Sequence, residues 1–173
     1  MFSHSFTHSY NQCPDRMASP DQSSPTADPS LRRTPENPPH VLAAHAVNAM
    51  ADKKAKDITV IDLREVSNMA DFFVIATGES DLQVRAIANG VMERIEEECD
   101  EQPWKREGMD HLRWVLLDYV DVVMHILLPT RREHYRIERL WGEADRETVP
   151  EDGDVSDVEL LQDLLASSPD DEE

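Results

Sequence analysis

The chain has no apolar run approaching the roughly 20 residues that a membrane-spanning helix needs. Residues 1–14 contain neither Lys nor Arg and no apolar block. A secretory signal and a basic transit peptide both require such features, so the expectation is a soluble, cytoplasmic protein. Cysteine is scarce: Cys13 stands in a polar stretch and Cys99 near the end of a predicted helix. With no CxxC spacing, the pair argues against a disulfide framework or a zinc knuckle and fits a reduced compartment. Aliphatic residues are almost missing from 1–39, which is rich in Ser, Pro, His, Thr, Asp and Asn. That stretch cannot bury enough apolar surface to offset its ordering entropy, and it is expected to be disordered.

Positive charge is also short. The net charge is -19, and it is unevenly spread. Residues 1–39 hold 3 basic and 4 acidic groups, residues 40–146 hold 14 and 21, and residues 147–173 hold 11 acidic groups and no basic one. Affinity for nucleic acid comes largely from Lys and Arg displacing phosphate counterions. The balance therefore argues against a direct, sequence-specific nucleic-acid partner and favours a basic protein surface. A generally acidic proteome explains the excess equally well.

What is present begins at residue 40. Val41, Ala44, Val47 and Ala51 follow Pro38-Pro39 at helical spacing, with Lys53, Lys54 and Lys56 at the far end, where cations suit the helix dipole. Two strands are predicted next, over Asp57–Leu63 and Asp71–Thr77. The second contains the unbroken apolar run Phe72–Ala76, typical of a central strand covered on both faces. Ser80 and Gln83 form a capping-box pattern, and Val84, Ile87, Ala88, Val91 and Ile95 then trace one face of a helix. Pro103 closes it, and a short strand or turn runs through Gly108. Arg113–Leu117 and Asp121–Leu128 are close enough to demand a hairpin. Pro129 stops the sheet, Thr130 and Glu133 repeat the box, and Gly142 is a C-cap candidate for a helix holding Tyr135, Ile137, Leu140 and Trp141. The predicted class is α/β (α+β), one mixed sheet of about five strands flanked by helices, with a right-handed crossover after Asp71–Thr77. The predicted organisation is a disordered extension 1–39, a folded domain 40–146 and an acidic tail 147–173. In that tail Ser156 and Glu159 repeat the capping-box pattern, beside the apolar residues Val158, Leu161, Leu164 and Leu165. A short helix over 156–166 and an unstructured tail both fit.

Catalytic chemistry finds little support. The Thr77–Asp81 turn joins a strand to a helix N-terminus, as phosphate sites do. It has one Gly, no P-loop pattern, and negative charge from Glu79 and Asp81 where phosphate would sit, so it reads as a structural turn. Two-metal chemistry needs converging carboxylates. Asp118 and Asp121 are three residues apart across a turn and do not share a strand face. His125 with His111 and Asp118 matches none of the standard metal-ligand spacings. Cys99 sits among Glu97, Glu98, Asp100 and Glu101, which quench a thiolate. No cofactor or metal is expected. What remains is a surface with Trp114, Tyr119, Tyr135 and Trp141, aromatics of the kind that anchor interfaces and cores alike. Periodicity assigns at least two of the four to the core.

Two blocks carry a resemblance. Asp71–Ser80 leads into Gln83-Val84 and Ala86-Ile87-Ala88. Glu107-Gly108 is followed by Trp114–Tyr119, Asp121–His125, and then Arg132, Tyr135, Ile137, Glu138, Leu140 and Trp141. In order and spacing these resemble the ribosomal silencing factors, the RsfS or Iojap family, over about residues 40–145. The resemblance implies a nucleotidyltransferase-like topology without catalytic residues, and homodimers among its members. It further implies docking on the large ribosomal subunit through its protein uL14, which blocks subunit association and represses translation under nutrient limitation. It places Trp114, Asp118, Tyr119, His125, Arg132, Tyr135 and Trp141 at partner-contact positions, Trp114 foremost. The family usually has Gly where Val120 stands, and a β-branched residue at positive φ there would cost about 1–2 kcal/mol. A large-subunit assembly factor and a nucleotidyltransferase-like enzyme using the Thr77–Asp81 turn are the alternatives.

Overall fold

The computed structural model describes residues 37–166. The expected disordered stretch 1–39, save its last three residues, lies outside the described residues, as do residues 167–173. Helix α1 (Pro39–Asp52) starts on a proline, whose missing amide costs nothing in a first turn. It buries Leu42, Ala43, Ala46, Val47 and Met50. Its lysines fall just beyond it: Lys53 is the C-cap, and Lys54 turns the chain at φ +57° toward β1 (Lys56–Asp62).

Strand β2 (Phe72–Thr77) is buried along its whole length, as its apolar run requires. Helix α2 (Asp81–Cys99) follows, with Val84, Ile87, Ala88, Val91 and Ile95 fully buried. Its start departs from the expected box. Ser80 Oγ accepts from the Gln83 amide at 3.2 Å, but the Gln83 side chain accepts from the Glu79 amide, at 2.8 Å. Gln83 Nε2 also donates to the carbonyls of Lys53 and Lys54, at 3.2 and 2.8 Å, tying the start of α2 to the end of α1.

Then come β3 (Lys105–Glu107), β4 (Trp114–Asp118) and β5 (Val122–Leu127), the last two forming the hairpin. The predicted helix after Pro129 is two pieces, α3 (Pro129–Tyr135) and α4 (Ile137–Leu140), because Arg136 takes φ +45° between them. Leu128 and Trp141 stand at the outer ends, so neither the Thr130 box nor the Gly142 cap forms. A sixth strand, β6 (Arg146–Thr148), exceeds the expected number. A 3-10 turn (Val155–Asp157) leads to α5 (Glu159–Ala166), with the capping box on Asp154 and Asp157 instead of Ser156 and Glu159.

The sheet order is β3-β4-β5-β2-β1-β6. Among the described residues only β2 and β5 pair in parallel, so the sheet is mixed. Period-2 alternation splits its side chains between two faces. Helices α1, α2 and α5 pack over one, on Val60, Val74, Val115, Leu117, Met124 and Ile126. The other carries Ile61, Phe73, Ile75, Val123 and Leu127 beneath α3 and α4. This second cover is thin: α3 has no buried residue and α4 only Ile137. Trp114, Leu116 and Trp141 are left half-buried there.

Candidate partner-binding surface

Strand register decides which side chains meet on the thinly covered face. Leu116 lies opposite His125, and His125 opposite Ile75. One step along, Trp114 lies opposite Leu127, and Leu127 opposite Thr77. Aromatic rings run across these rows in succession. Trp141 meets Phe73 edge-on at 5.8 Å, Phe73 meets His125 at 4.9 Å, His125 meets Trp114 at 5.9 Å, and Trp114 meets Tyr135 at 4.9 Å. Tyr135, from α3, is 45% exposed. Half-exposed indole and phenol rings present large apolar area with few rotors to freeze, the character of binding anchors.

His125 is only 5% exposed. Its Nδ1 accepts a hydrogen bond from Trp114 Nε1–H at 3.2 Å, so the neutral ring carries its proton on Nε2. That nitrogen is buried and has no hydrogen-bond partner among the described residues. Burial lowers the imidazole from its ordinary 6.5 to about 4, with Glu138 opposing the shift. At neutral pH His125 is an uncharged acceptor.

Arg132 stands beside this cluster but spends its donors within the fold. Nε and Nη2 reach Glu138 Oε1 at 2.8 and 2.6 Å. Nη1 donates to the Asp57 carbonyl and to Thr77 Oγ1, and Nη2 to Thr59 Oγ1. These bonds fasten α3 to the sheet. Asp118 and Tyr119 are elsewhere, at the hairpin turn. Asp118 Oδ1 accepts from the Val120 amide at 2.7 Å, and Tyr119, 1% exposed, belongs to the core of the opposite face. The structure thus gathers Trp114, His125, Tyr135 and Trp141, places Arg132 alongside, and separates Asp118 and Tyr119. Of the four aromatics read from the sequence, Tyr119 alone is fully core, because only it points to the thickly covered side.

Several neighbours escaped the sequence reading. Phe73 links two of the rings, and its alternation with Ile75 was masked by the continuous apolar run of β2. A groove of about 460 Å³ beside Trp114 and Tyr135 is lined by Gly108, His111, Arg113 and Arg131, with no carboxylate. Its local charge is opposite to that of the chain, and net charge averages this away.

Around the Thr77–Asp81 turn several amides are engaged within the fold. The Gly78 amide bonds to the Leu127 carbonyl, Glu79 to the Gln83 side chain, Gln83 to Ser80 Oγ, and Val84 to the Ser80 carbonyl. A Cβ on Gly78 would lie 2.8 Å from Val84 Cγ2, so helix packing explains the glycine. A cleft of about 730 Å³ adjoins the turn, but in it Arg132 pairs with Glu138 and Lys56 with Glu151. Among the described residues no group of three or more His, Cys, Asp or Glu is placed to hold a metal ion.

The model of the family described as ribosomal silencing factor during starvation matches residues 35–172. This chain belongs to the RsfS family. The match takes in the acidic C-terminal segment as well as the motif blocks. The ribosomal silencing factor of Bacillus subtilis is 43% identical over 99 residues, 57% of this chain and 83% of that protein. A mouse relative named mitochondrial assembly of ribosomal large subunit protein 1 is 31% identical over 117 residues, 61% of this chain and 51% of that protein. A crystal structure from Chromobacterium violaceum aligns with TM-score 0.58 at 36% identity, covering 61% of this chain and 87% of that one. RsfS proteins are named for silencing, not for an enzymatic activity. Among the described residues no helix is long and apolar enough to cross a membrane.

Proposed function

We propose that this RsfS protein is a cytoplasmic translational repressor that docks on the large ribosomal subunit through uL14 and excludes the small subunit by occupying its place. The observation that carries this reading is the half-covered aromatic row from Trp141 to Tyr135. Trp114 and Tyr135 supply apolar anchors; the acidic remainder of the chain assists encounter with a basic protein surface, and the cationic groove beside the anchors suits an acidic group of the partner at the rim. Repression by occlusion needs affinity and bulk but no bond chemistry.

The test is co-sedimentation of the full-length protein with purified large subunits at physiological salt. Trp114→Glu and the more exposed Tyr135→Glu should each weaken binding at least about thirtyfold, with circular dichroism and melting temperature showing a retained fold. Folded variants that bind as the parent does would remove the aromatic row as the docking site.

A second reading is favoured by the name of the mouse relative: association with a large-subunit precursor during assembly. Recovery of precursor particles, in preference to mature subunits, on the tagged protein would select it.

A further inference from the structure

We infer that His125 is a positioning residue for docking: its Nδ1 holds the Trp114 indole in the orientation that a partner meets. The inference rests on the docking reading above and assigns His125 a part it cannot play by contact, since it is buried between Phe73 and Trp114.

The geometry has three components. Trp114 is half-buried at the start of β4, and without restraint its indole could turn about χ1 and χ2. Two neighbours restrain it. Tyr135 packs against the ring with centroids 4.9 Å apart, and Nε1–H donates to His125 Nδ1 at 3.2 Å. Stacking tolerates sliding, whereas a hydrogen bond to one ring nitrogen fixes both position and direction. His125 is fixed in turn by its register between Leu116 and Ile75 and by the edge contact with Phe73.

The cost of this arrangement points the same way. A buried N–H without a partner destabilises a fold, and His125 Nε2 is such a group among the described residues. Leu or Met would fill the position without an unsatisfied polar atom. What they lack is an acceptor facing the indole. A preorganised anchor loses less entropy on binding and so binds more tightly with no added contact.

The test is a double-mutant cycle on the full chain, read as affinity for purified large subunits. His125→Leu should weaken binding about tenfold, the equivalent of about one hydrogen bond. His125→Gln, whose side-chain oxygen is an acceptor, should recover most of that loss. Trp114→Phe removes the donor, and in that background His125→Leu should add less than about a twofold effect. The indole N–H resonances of the three tryptophans give a binding-independent readout. That of Trp114 should move and exchange faster with solvent in His125→Leu, while those of Trp104 and Trp141 stay in place. Equal losses from His125→Leu in the parent and in the Trp114→Phe background would show a general packing role and overturn the inference. So would parental affinity in a folded His125→Leu protein. Failure of the parent itself to bind large subunits would instead overturn the docking reading, and this inference with it.

Discussion

The backbone amide of Val120 donates to Asp118 Oδ1 at 2.7 Å, and that bond closes the β4–β5 hairpin over a valine at φ +73°. L-residues with a branched Cβ are strained in this region, by about 1–2 kcal/mol. Val120 is also 41% exposed, so packing returns little of that cost. Val120→Gly should therefore raise stability by about 1 kcal/mol, the relief of strain outweighing the added freedom of the unfolded chain. Asp118→Ala should lower it by about 1 kcal/mol through loss of the closing bond. Urea denaturation at neutral pH reads both. A destabilised Val120→Gly protein would mean that the exposed side chain makes a stabilising contact outweighing its backbone strain.

A second expectation concerns acid. In the unfolded chain His125 titrates near 6.5, and in the folded protein burial holds it at about 4. Between those values the unfolded chain binds the additional proton, so stability rises with pH across the interval. His125 leaves stability untouched above about pH 6.5 and withdraws roughly 3 kcal/mol by pH 4. His40 and His45 are lowered by burial too and act in the same direction. The comparison that isolates His125 is thus the parent against His125→Gln. The gap between their unfolding free energies, measured from pH 7 to pH 4, should move by about 3 kcal/mol in favour of the variant. A constant gap would contradict the buried, neutral assignment.

Much of the scaffold was legible because it obeys local rules. The apolar run of β2, the helical spacing of Val84 to Ile95, and the short gap before Val122 fix a central strand, a packed helix and a hairpin. The glycine usual at Val120 in the resembling family left two options, a different turn or a strained valine, and the structure has the second, at φ +73°. Long-range facts were not legible. Nothing within residues 130–142 announces the break at Arg136, where side-chain bonds from Arg132 to Thr59 and Thr77 hold α3 in place. The three residues of β6 are too few for a periodic signal, and the strand exists because β1 offers it an edge. For the candidate site, residue type identified the aromatics. Which face each one joins depends on register, and register placed Trp114 and His125 together while sending Tyr119 to the other side.

Arg132 supports a third prediction. Its guanidinium bonds to groups on α4, β1 and β2 at once, an arrangement suited to five planar donors and poorly matched by an ammonium. Arg132→Ala should cost roughly 2 kcal/mol, below the value for a fully buried pair because both partners are partly solvated. Arg132→Lys should recover less than half of it. Hydrogen exchange should show the loss concentrated in α3, where the amides of Arg132 and Arg136 mark the first and last turns. Weaker docking in these variants would follow from the displacement of Tyr135. Restoring subunit binding at lower temperature would separate that indirect effect from direct contact by Arg132.

The C-terminal segment provides the last test, because its acidity and its packing point in different directions. By composition it is a solvated stretch, yet Val158 and Leu161 are fully buried against α1. The Val155 amide bonds to Asn48 Oδ1 at 3.2 Å, and the Leu160 amide to the Glu147 carboxylate at 3.3 Å. Four buried or half-buried leucines, Leu160, Leu161, Leu164 and Leu165, line the packed side of α5, and Glu159 remains exposed. Leu161→Ala should cost about 2–4 kcal/mol, as for other fully buried leucines, while Glu159→Ala should stay within about 0.5 kcal/mol. Since α5 covers the sheet face opposite Trp114, a Leu161→Ala protein that is still folded should bind large subunits with unchanged affinity. Denaturation and co-sedimentation on the same samples decide the matter: a stability loss no larger than that of Glu159→Ala would mean that α5 is only loosely seated.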